Sequence, residues 1–83
     1  MPAQQYELVA LDLRRRIVEG EFPLGSDLPS RAQIRTHYEV SGSVADKAML
    51  LLRMEGLTET LAGVAVRVKR VPGADEMPSY GQD

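Results

Sequence analysis

The apolar residues of this chain change their spacing once, close to residue 57, and this change restricts the possible folds more than any other feature. Before that point, apolar residues recur at steps of three and four, the period of amphipathic helices. After it, Val64, Val66 and Val68 alternate with other residues, which is typical of a half-buried strand. The sequence therefore predicts a helical body followed by a two-stranded hairpin with its turn at residues 62–63.

Three helices are predicted before the change. The first covers residues 4–19 and stops at Gly20, because glycine is favoured just after a helix. The second follows Ser30 in the capping pattern Ser-x-x-Gln and runs to about His37. After a two-residue connector, Ser41 caps the third helix, which extends to about residue 55. The expected buried residues are Tyr6, Val9, Ala10, Leu13, Ile17, Ile34, Tyr38, Ala45, Ala48, Met49 and Leu52.

The size and composition of the chain limit it to a simple architecture. Its 83 residues allow one domain with a small core. Because the chain has no cysteine and only one histidine, we predict no disulfide, no metal site and no cofactor. No apolar run approaches the roughly 20 residues that span a bilayer, so we expect a cytoplasmic protein without membrane contact. Residues 1–71 are predicted to form the domain, and residues 72–83 a flexible acidic tail.

The charge distribution neither requires nor excludes a nucleic-acid partner. The formal net charge is −2, but residues 72–83 contain three acids and no base, so the remainder is close to neutral. Three consecutive arginines, residues 14–16, lie near the end of the first helix, where cations suit the helix dipole. We expect them to form a solvated helix end, and the alternative is a phosphate-contacting patch.

The predicted order of elements is that of a winged helix-turn-helix. It has three helices, a very short connector between the last two, and a hairpin after the third. This fold class is mainly α with a small β-hairpin. In DNA-binding examples, the third helix enters the major groove. The hairpin, or wing, then lies against the backbone or the minor groove.

From Tyr6 to about Val68, the sequence resembles the DNA-binding domain of the GntR family of bacterial transcription regulators. The family pattern combines I-x-x-G-x-x-x-x-G-x-x-L-P-S, a Y-G-V-S turn and a closing L-x-x-E-G-L. The segments that carry the resemblance are residues 6–9 (YELV), 17–30 (IVEGEFPLGSDLPS), 38–41 (YEVS) and 52–57 (LRMEGL). This resemblance implies a non-enzymatic transcription regulator with double-stranded operator DNA as its partner and repression as the expected sense.

The resemblance is weaker at positions that commonly contact DNA. Family members usually carry Glu-Arg after the Leu-Pro-Ser, whereas this chain has Arg31 followed by Ala32. The arginine that commonly follows Val-Ser is Gly42 here, and a later, often basic position is Asp46. The wing, usually Gly-x-Gly-Thr-Phe-Val, is GVAVRV at residues 63–68.

In a first hypothesis, the chain reads DNA with a shifted set of residues. Ser43 and Lys47 face the groove from the third helix, and Arg31 and Arg35 reach backbone phosphates from the second. Free backbone amides at the starts of both helices bind phosphate, and Gly42 allows the backbone to approach DNA closely. The predicted DNA-binding residues, including the wing tip Gly63, are Ser30, Arg31, Arg35, Ser41, Gly42, Ser43, Lys47, Gly63 and Arg67.

In a second hypothesis, the fold serves as a protein-interaction or dimerisation module. The exposed part of residues 50–52 and Met54 would supply an apolar patch. We nevertheless expect these residues to fill the core and a dimer contact. An enzyme has no support, because no nucleophile with a base, glycine-rich phosphate loop or carboxylate pair is recognisable, and His37 is expected to be inert. The aromatic residues predicted to pack in the core are Tyr6, Phe22 and Tyr38, with Tyr80 in the tail.

A lone winged helix contacts little DNA, about 600–1,000 Å² for a single module, so we predict a homodimer on a roughly palindromic site. Leu8 and Leu11 lie off the buried stripe of the first helix, which makes it the expected dimer surface. Family members usually carry a larger effector-binding domain, whereas roughly fifteen residues follow the hairpin here. No small-molecule effector pocket is therefore expected in this chain, which is either a complete short protein or an excised domain.

Overall fold

The first helix, α1, provides a long buried face for the domain. The computed structural model describes residues 4–61 and 65–72, and α1 covers Gln5–Val18. Its stripe is buried as predicted at Val9, Ala10, Leu13 and Ile17. The side chains of this stripe recur on one side of the helix because three- and four-residue steps nearly complete a turn.

Two further helices, α2 (Arg31–Tyr38) and α3 (Gly42–Met54), begin at the serines that the sequence predicts as caps. The Ser30 hydroxyl accepts a hydrogen bond from the backbone N–H of Gln33 at 3.2 Å. The Gln33 side-chain oxygen accepts in return from the backbone N–H of Ser30 at 2.8 Å, which completes the capping box. The Ser41 hydroxyl accepts from the backbone N–H three residues later at 3.3 Å.

The connector between α2 and α3 turns through an unusual backbone conformation. Glu39 has a φ angle of 54°, in the left-handed region, where the family pattern has glycine. A residue with a Cβ atom costs about 1–2 kcal/mol there. The turn is held by the Val40 N–H, which donates to the carbonyl oxygen of Arg35 at 3.1 Å.

The end of α3 folds back on itself as the sequence predicts. Gly56 has a φ angle of 78°, and the backbone N–H of Leu57 donates to the carbonyl oxygen of Leu52 at 3.1 Å. Leu57 and Leu52 are both fully buried. This glycine-terminated helix end brings the chain directly into the hairpin.

The hairpin pairs β1 (Thr58–Leu61) with β2 (Ala65–Val68) in an antiparallel register. Thr58 lies opposite Val68, and Val68 is buried while its neighbour Arg67 is exposed. The alternation of apolar and polar residues therefore sets the face that packs on the helices. The predicted turn with Gly63, and the tail from residue 73 onward with Tyr80, lie outside the described residues.

The connector before α2 extends the hairpin, which the sequence pattern did not indicate. The Gly25 N–H donates to the Val68 carbonyl at 2.8 Å, and the Val68 N–H donates to the Ser26 carbonyl at 2.9 Å. The Leu28 N–H donates to the Val66 carbonyl at 2.9 Å. These bonds join backbone atoms, so they leave no periodic signature in the side chains of residues 25–28.

The core lies where α3 packs against α1 and α2, with the hairpin against α3. Its buried members are Val9, Ala10, Leu13, Ile17, Leu28, Ile34, Ala45, Ala48, Leu52, Leu57 and Val68. Of the residues expected to fill the core and a dimer contact, Leu52 is buried and Leu51 packs against the core, whereas Leu50 and Met54 lie outside it with 51% and 74% exposure. In the described part of the chain, no helix combines the length and apolar character needed to cross a membrane.

Candidate nucleic-acid interface

The start of α2 meets the first turns of α3 on an exposed surface. The Nε atom of Arg31, the first residue of α2, donates to Oδ1 of Asp46 in α3 at 2.8 Å. Both side chains are more than half exposed to solvent, Arg31 by 57% and Asp46 by 61%. The arginine that the sequence assigns to phosphate contact is thus oriented by an acid from the neighbouring helix.

Gly42 lies beneath the same arginine. A Cβ atom built on Gly42 would be 2.6 Å from Cζ of Arg31 and would overlap Nη2. The sequence predicts that this glycine lets the protein backbone approach DNA closely, but the guanidinium of Arg31 occupies the space beside it.

The starts of α2 and α3 each leave two backbone N–H groups without an acceptor in the described part of the chain. At the start of α2, the backbone N–H of Ser30 donates to Gln33 in the predicted capping box, whereas the N–H groups of Arg31 and Ala32 have no acceptor within the described residues. At the start of α3, the N–H groups of Gly42 and Ser43 have no acceptor within residues 4–61 and 65–72. Together with the positive end of the helix dipole, these two amides can bind an anion.

The outward face of α3 is polar at its beginning and apolar at its end. Ser43, Asp46 and Lys47 are exposed in the first half, followed by Leu50 and Met54 in the second half. These positions lie opposite the buried residues of the helix because of the helical period. Hence, the predicted groove-facing residues share a face with the apolar patch of the second hypothesis.

Lys47 and Arg67 each lie near another part of the domain. The ammonium of Lys47 is 5.6 Å from the centre of the Tyr6 ring, which places it beside α1. Arg67 is exposed on β2, and the strand register sets the exposed Glu59 directly opposite it. The hairpin thus presents an acid beside its arginine. On α2, the side chain of Arg35 is exposed.

Each of the three arginines of α1 pairs with an acid of the domain. Arg14 is 4% exposed, and its Nη1 is 2.7 Å from Oε2 of Glu55, so its predicted place at a solvated helix end is wrong. Arg15 and Arg16 pair with acids close to them in sequence, which are Asp12, Glu19 and Glu21. The hydrogen bond from Arg16 lowers the pKa of Glu21.

A hydrogen-bonded chain of side chains joins α1 to α2. The Tyr38 hydroxyl donates to Oδ2 of Asp12 at 2.6 Å and accepts from Nη1 of Arg16 at 3.0 Å. Burial and the bond to Asp12 raise the pKa of Tyr38 to about 12. Burial opposes ionisation of Asp12, but the hydrogen bonds from Tyr38 and Arg15 outweigh it and lower the pKa of Asp12.

The aromatic side chains serve packing. Tyr6, Phe22 and Tyr38 are half-buried against the core, as predicted, and the Arg16 guanidinium lies 4.6 Å from the centre of the Phe22 ring. His37 is exposed, with its ring edge-on to Tyr38 at 4.6 Å. Within the described ranges, no group of three or more acidic, histidine or cysteine side chains is arranged to hold a metal ion.

Two curated relatives resemble this chain over most of its length. The Exu regulon transcriptional regulator of Escherichia coli (strain K12) is 33% identical over 67 residues, which cover 81% of this chain and 26% of that protein. The Uxu operon regulator of Haemophilus influenzae is 31% identical over 72 residues, covering 87% and 27% respectively. This chain therefore spans about a quarter of the length of these relatives. Both are named as regulators, in agreement with the prediction of a chain without enzymatic activity.

Solved structures confirm the winged helix-turn-helix. A protein assigned to the GntR family of transcriptional regulators is 42% identical, with a TM-score of 0.76 over 83% of this chain and 27% of that chain. BusR of S. agalactiae, in complex with its busAB promoter DNA, shares the fold at 24% identity and a TM-score of 0.74, over 81% of this chain and 33% of its own. The model of the bacterial regulatory proteins of the gntR family matches residues 5–68, and this chain belongs to that family.

Proposed function

We propose that this chain recognises a specific double-stranded operator as the DNA-binding domain of a transcription regulator. The observation that carries the proposal is the meeting of Arg31 with the open start of α3 on one exposed surface. The relatives named as regulators and the neighbour bound to promoter DNA support it. In this proposal, α3 enters the major groove, and the hairpin lies against the backbone or the minor groove.

The proposed contacts divide between bases and phosphates. Ser43 and Lys47 lie on the exposed face of α3, where side chains reach base edges. Arg35 and Arg67 are exposed cations suited to phosphate. The helix caps Ser30 and Ser41, the amide of Gly42 and the wing tip Gly63 complete the predicted set.

Selection of binding sites from fragmented host DNA tests the proposal. The purified chain is used at near-physiological salt, and affinity for the enriched fragment is then measured at two salt concentrations. We expect one enriched motif and a shallow salt dependence, because the sequence before residue 72 is close to electrically neutral. A protein that melts cooperatively but enriches no motif would contradict the proposal.

A homodimer is the proposed binding species. A single winged helix buries too little DNA for strong discrimination, and Leu8 on α1 is 53% exposed, with Leu11 half-buried beside it. Light scattering of the complex with the enriched fragment should give two chains per site, and Leu8→Ser should weaken the assembly. One chain per site at saturation would overturn the dimer.

We propose repression as the sense of regulation, because a bound protein excludes polymerase from DNA that overlaps its site. A reporter whose promoter contains the enriched motif should lose activity when the chain is expressed. Increased activity would contradict repression without affecting DNA recognition.

Protein interaction remains a second candidate function, because Leu50 and Met54 are exposed on adjacent turns of α3. If this patch mediates association, L50S combined with M54S should reduce the mass of the protein in solution without DNA. An unchanged mass for a variant that still folds would remove this candidate.

A further inference from the structure

Three departures from the family pattern meet at one point of the structure. Arg31 stands where glutamate is usual, Gly42 where arginine is common, and Asp46 at an often basic position. The side chain of Arg31 contacts Asp46 and covers Gly42. We therefore treat these residues as one unit, the Arg31 cluster.

The role of Gly42 in this cluster is to leave space. Its backbone lies in ordinary helical geometry, since the glycines with positive φ in the described ranges are Gly20, Gly25 and Gly56. Alanine would favour the helix, so the backbone gives no reason for glycine. The overlap between a Cβ at this position and the Arg31 guanidinium supplies the reason.

The role of Asp46 is to orient the arginine. An acid on the outward face of α3 would repel phosphate, but its carboxylate accepts from Nε of Arg31 at 2.8 Å. In the described part of the chain, the Nη1 and Nη2 groups of Arg31 have no acceptor, so their N–H donors are available to a ligand. Holding the side chain in place lowers the entropy lost when it binds.

We propose that Arg31 reads a guanine in the major groove, with Asp46 as its positioning residue and Gly42 providing the space. This inference rests on the proposed function, in which the start of α3 faces the groove. Guanine presents N7 and O6 as a pair of acceptors that matches two N–H groups of an arginine. Ion pairing to Asp46 reduces the charge that would bind phosphate but keeps these donors, which favours a base over a phosphate.

Site selection with variants tests the Arg31 cluster. The wild-type motif should contain a guanine whose replacement by another base weakens binding roughly 5- to 150-fold, the range expected for one bidentate contact. Arg31→Ala should remove the preference at that position alone. Asp46→Ala should weaken it, whereas Asp46→Asn, whose side-chain oxygen can still accept from Nε, should retain most of it.

Gly42→Ala provides the sharper test because it changes no side chain that could bind a base. The added methyl group should displace the flexible Arg31 and abolish the guanine preference, while thermal unfolding occurs at the same or a higher temperature. In the Arg31→Ala background, the same change should have no further effect on the motif. An effect of equal size in both backgrounds would mean that the methyl group acts on DNA directly, and would overturn the role of Gly42.

Arg35→Ala is the matched control, since it removes an exposed arginine from the same helix. It should weaken binding to all sequences equally and leave the motif unchanged. If Arg31→Ala behaves like this control and lowers the salt dependence, Arg31 contacts phosphate and the inference fails while the proposed function stands. If wild-type protein that melts cooperatively selects no motif, the proposed function fails, and this inference with it.

Discussion

The arginines of α1 and those of α2 differ in what they contact. Arg14, Arg15 and Arg16 form ion pairs within the domain, and Arg14 is almost completely buried. On α2, Arg31 has one acid beside it, Asp46, and keeps 57% of its side chain exposed, while Arg35 is exposed and has no ion pair within the described residues. The three adjacent arginines of α1 therefore stabilise the fold, whereas Arg31 and Arg35 of α2 form part of the exposed surface. How far the fold buries a cation and how many acids surround it, more than the density of cations in the sequence, decide whether its donors are available to a ligand.

Breaking the buried pair of α1 should have the largest effect. Arg14→Ala leaves Glu55 without the guanidinium 2.7 Å away and opens space beneath α1. Removing one partner of a buried pair costs about 3–5 kcal/mol, which we expect as the loss in free energy of unfolding by urea. Arg15→Ala makes the same charge change at an exposed site and is the control. Equal losses of stability in the two variants would show that the buried ion pair of Arg14 contributes no more than an exposed one.

Removing the hydroxyl that joins α1 to α2 should have a smaller effect. Tyr38→Phe deletes the donor to Asp12 and the acceptor for Arg16, and we expect a loss of about 1–3 kcal/mol in free energy of unfolding. Phe22→Leu, which changes a neighbouring half-buried ring, serves as a packing control. No loss in Tyr38→Phe would mean that the hydroxyl network adds nothing to stability.

The pH dependence of stability should identify the same network. The pKa of Asp12 is lowered on folding, so its contribution is present above its ordinary value of 3.8 and is lost as pH falls through the folded value. The pKa of Tyr38 is raised from 10.0 to about 12, so its contribution is present below 10 and is lost as pH rises through about 12. Tyr38→Phe should flatten the alkaline limb and reduce the acid limb. Urea titrations across this range would show it, and an unchanged alkaline limb would contradict the assignment.

Relieving the turn after α2 should give a small gain. Glu39→Gly places the glycine of the family pattern at a φ angle of 54°, which glycine adopts without steric strain. We therefore expect the free energy of unfolding to increase by up to about 1 kcal/mol. Glu39→Ala, which removes the same carboxylate but keeps a Cβ atom at this φ angle, is the control and should not stabilise. A destabilised Glu39→Gly would show that the glutamate side chain contributes more than its backbone conformation costs.

Much of the fold could be predicted from the sequence because it depends on local signals. Capping serines, terminating glycines and the change of period near residue 57 set the three helices and the hairpin. Backbone pairing of residues 25–28 with β2 was missed, since it has no side-chain pattern.

The candidate site was less predictable, because its key contacts join residues far apart in the chain. Arg31 and Asp46 are fifteen positions apart, and spacing alone could not pair them. Arg14 and Glu55 are separated by forty-one positions, so the burial of Arg14 was equally hidden. The sequence signal that could have suggested the Arg31 cluster is an arginine at the start of α2 combined with a glycine and an acid in the first turns of α3.

Salt dependence of binding to the selected operator tests the central claim most directly. Arg35→Ala on α2 and Arg15→Ala on α1 remove the same charge from exposed side chains, so net charge cannot explain a difference between them. If α2 meets the DNA, Arg35→Ala should lower the slope of log affinity against log salt by about one, and Arg15→Ala should leave it unchanged. The reverse result, with the slope reduced by Arg15→Ala alone, would place the DNA on α1 and contradict the account.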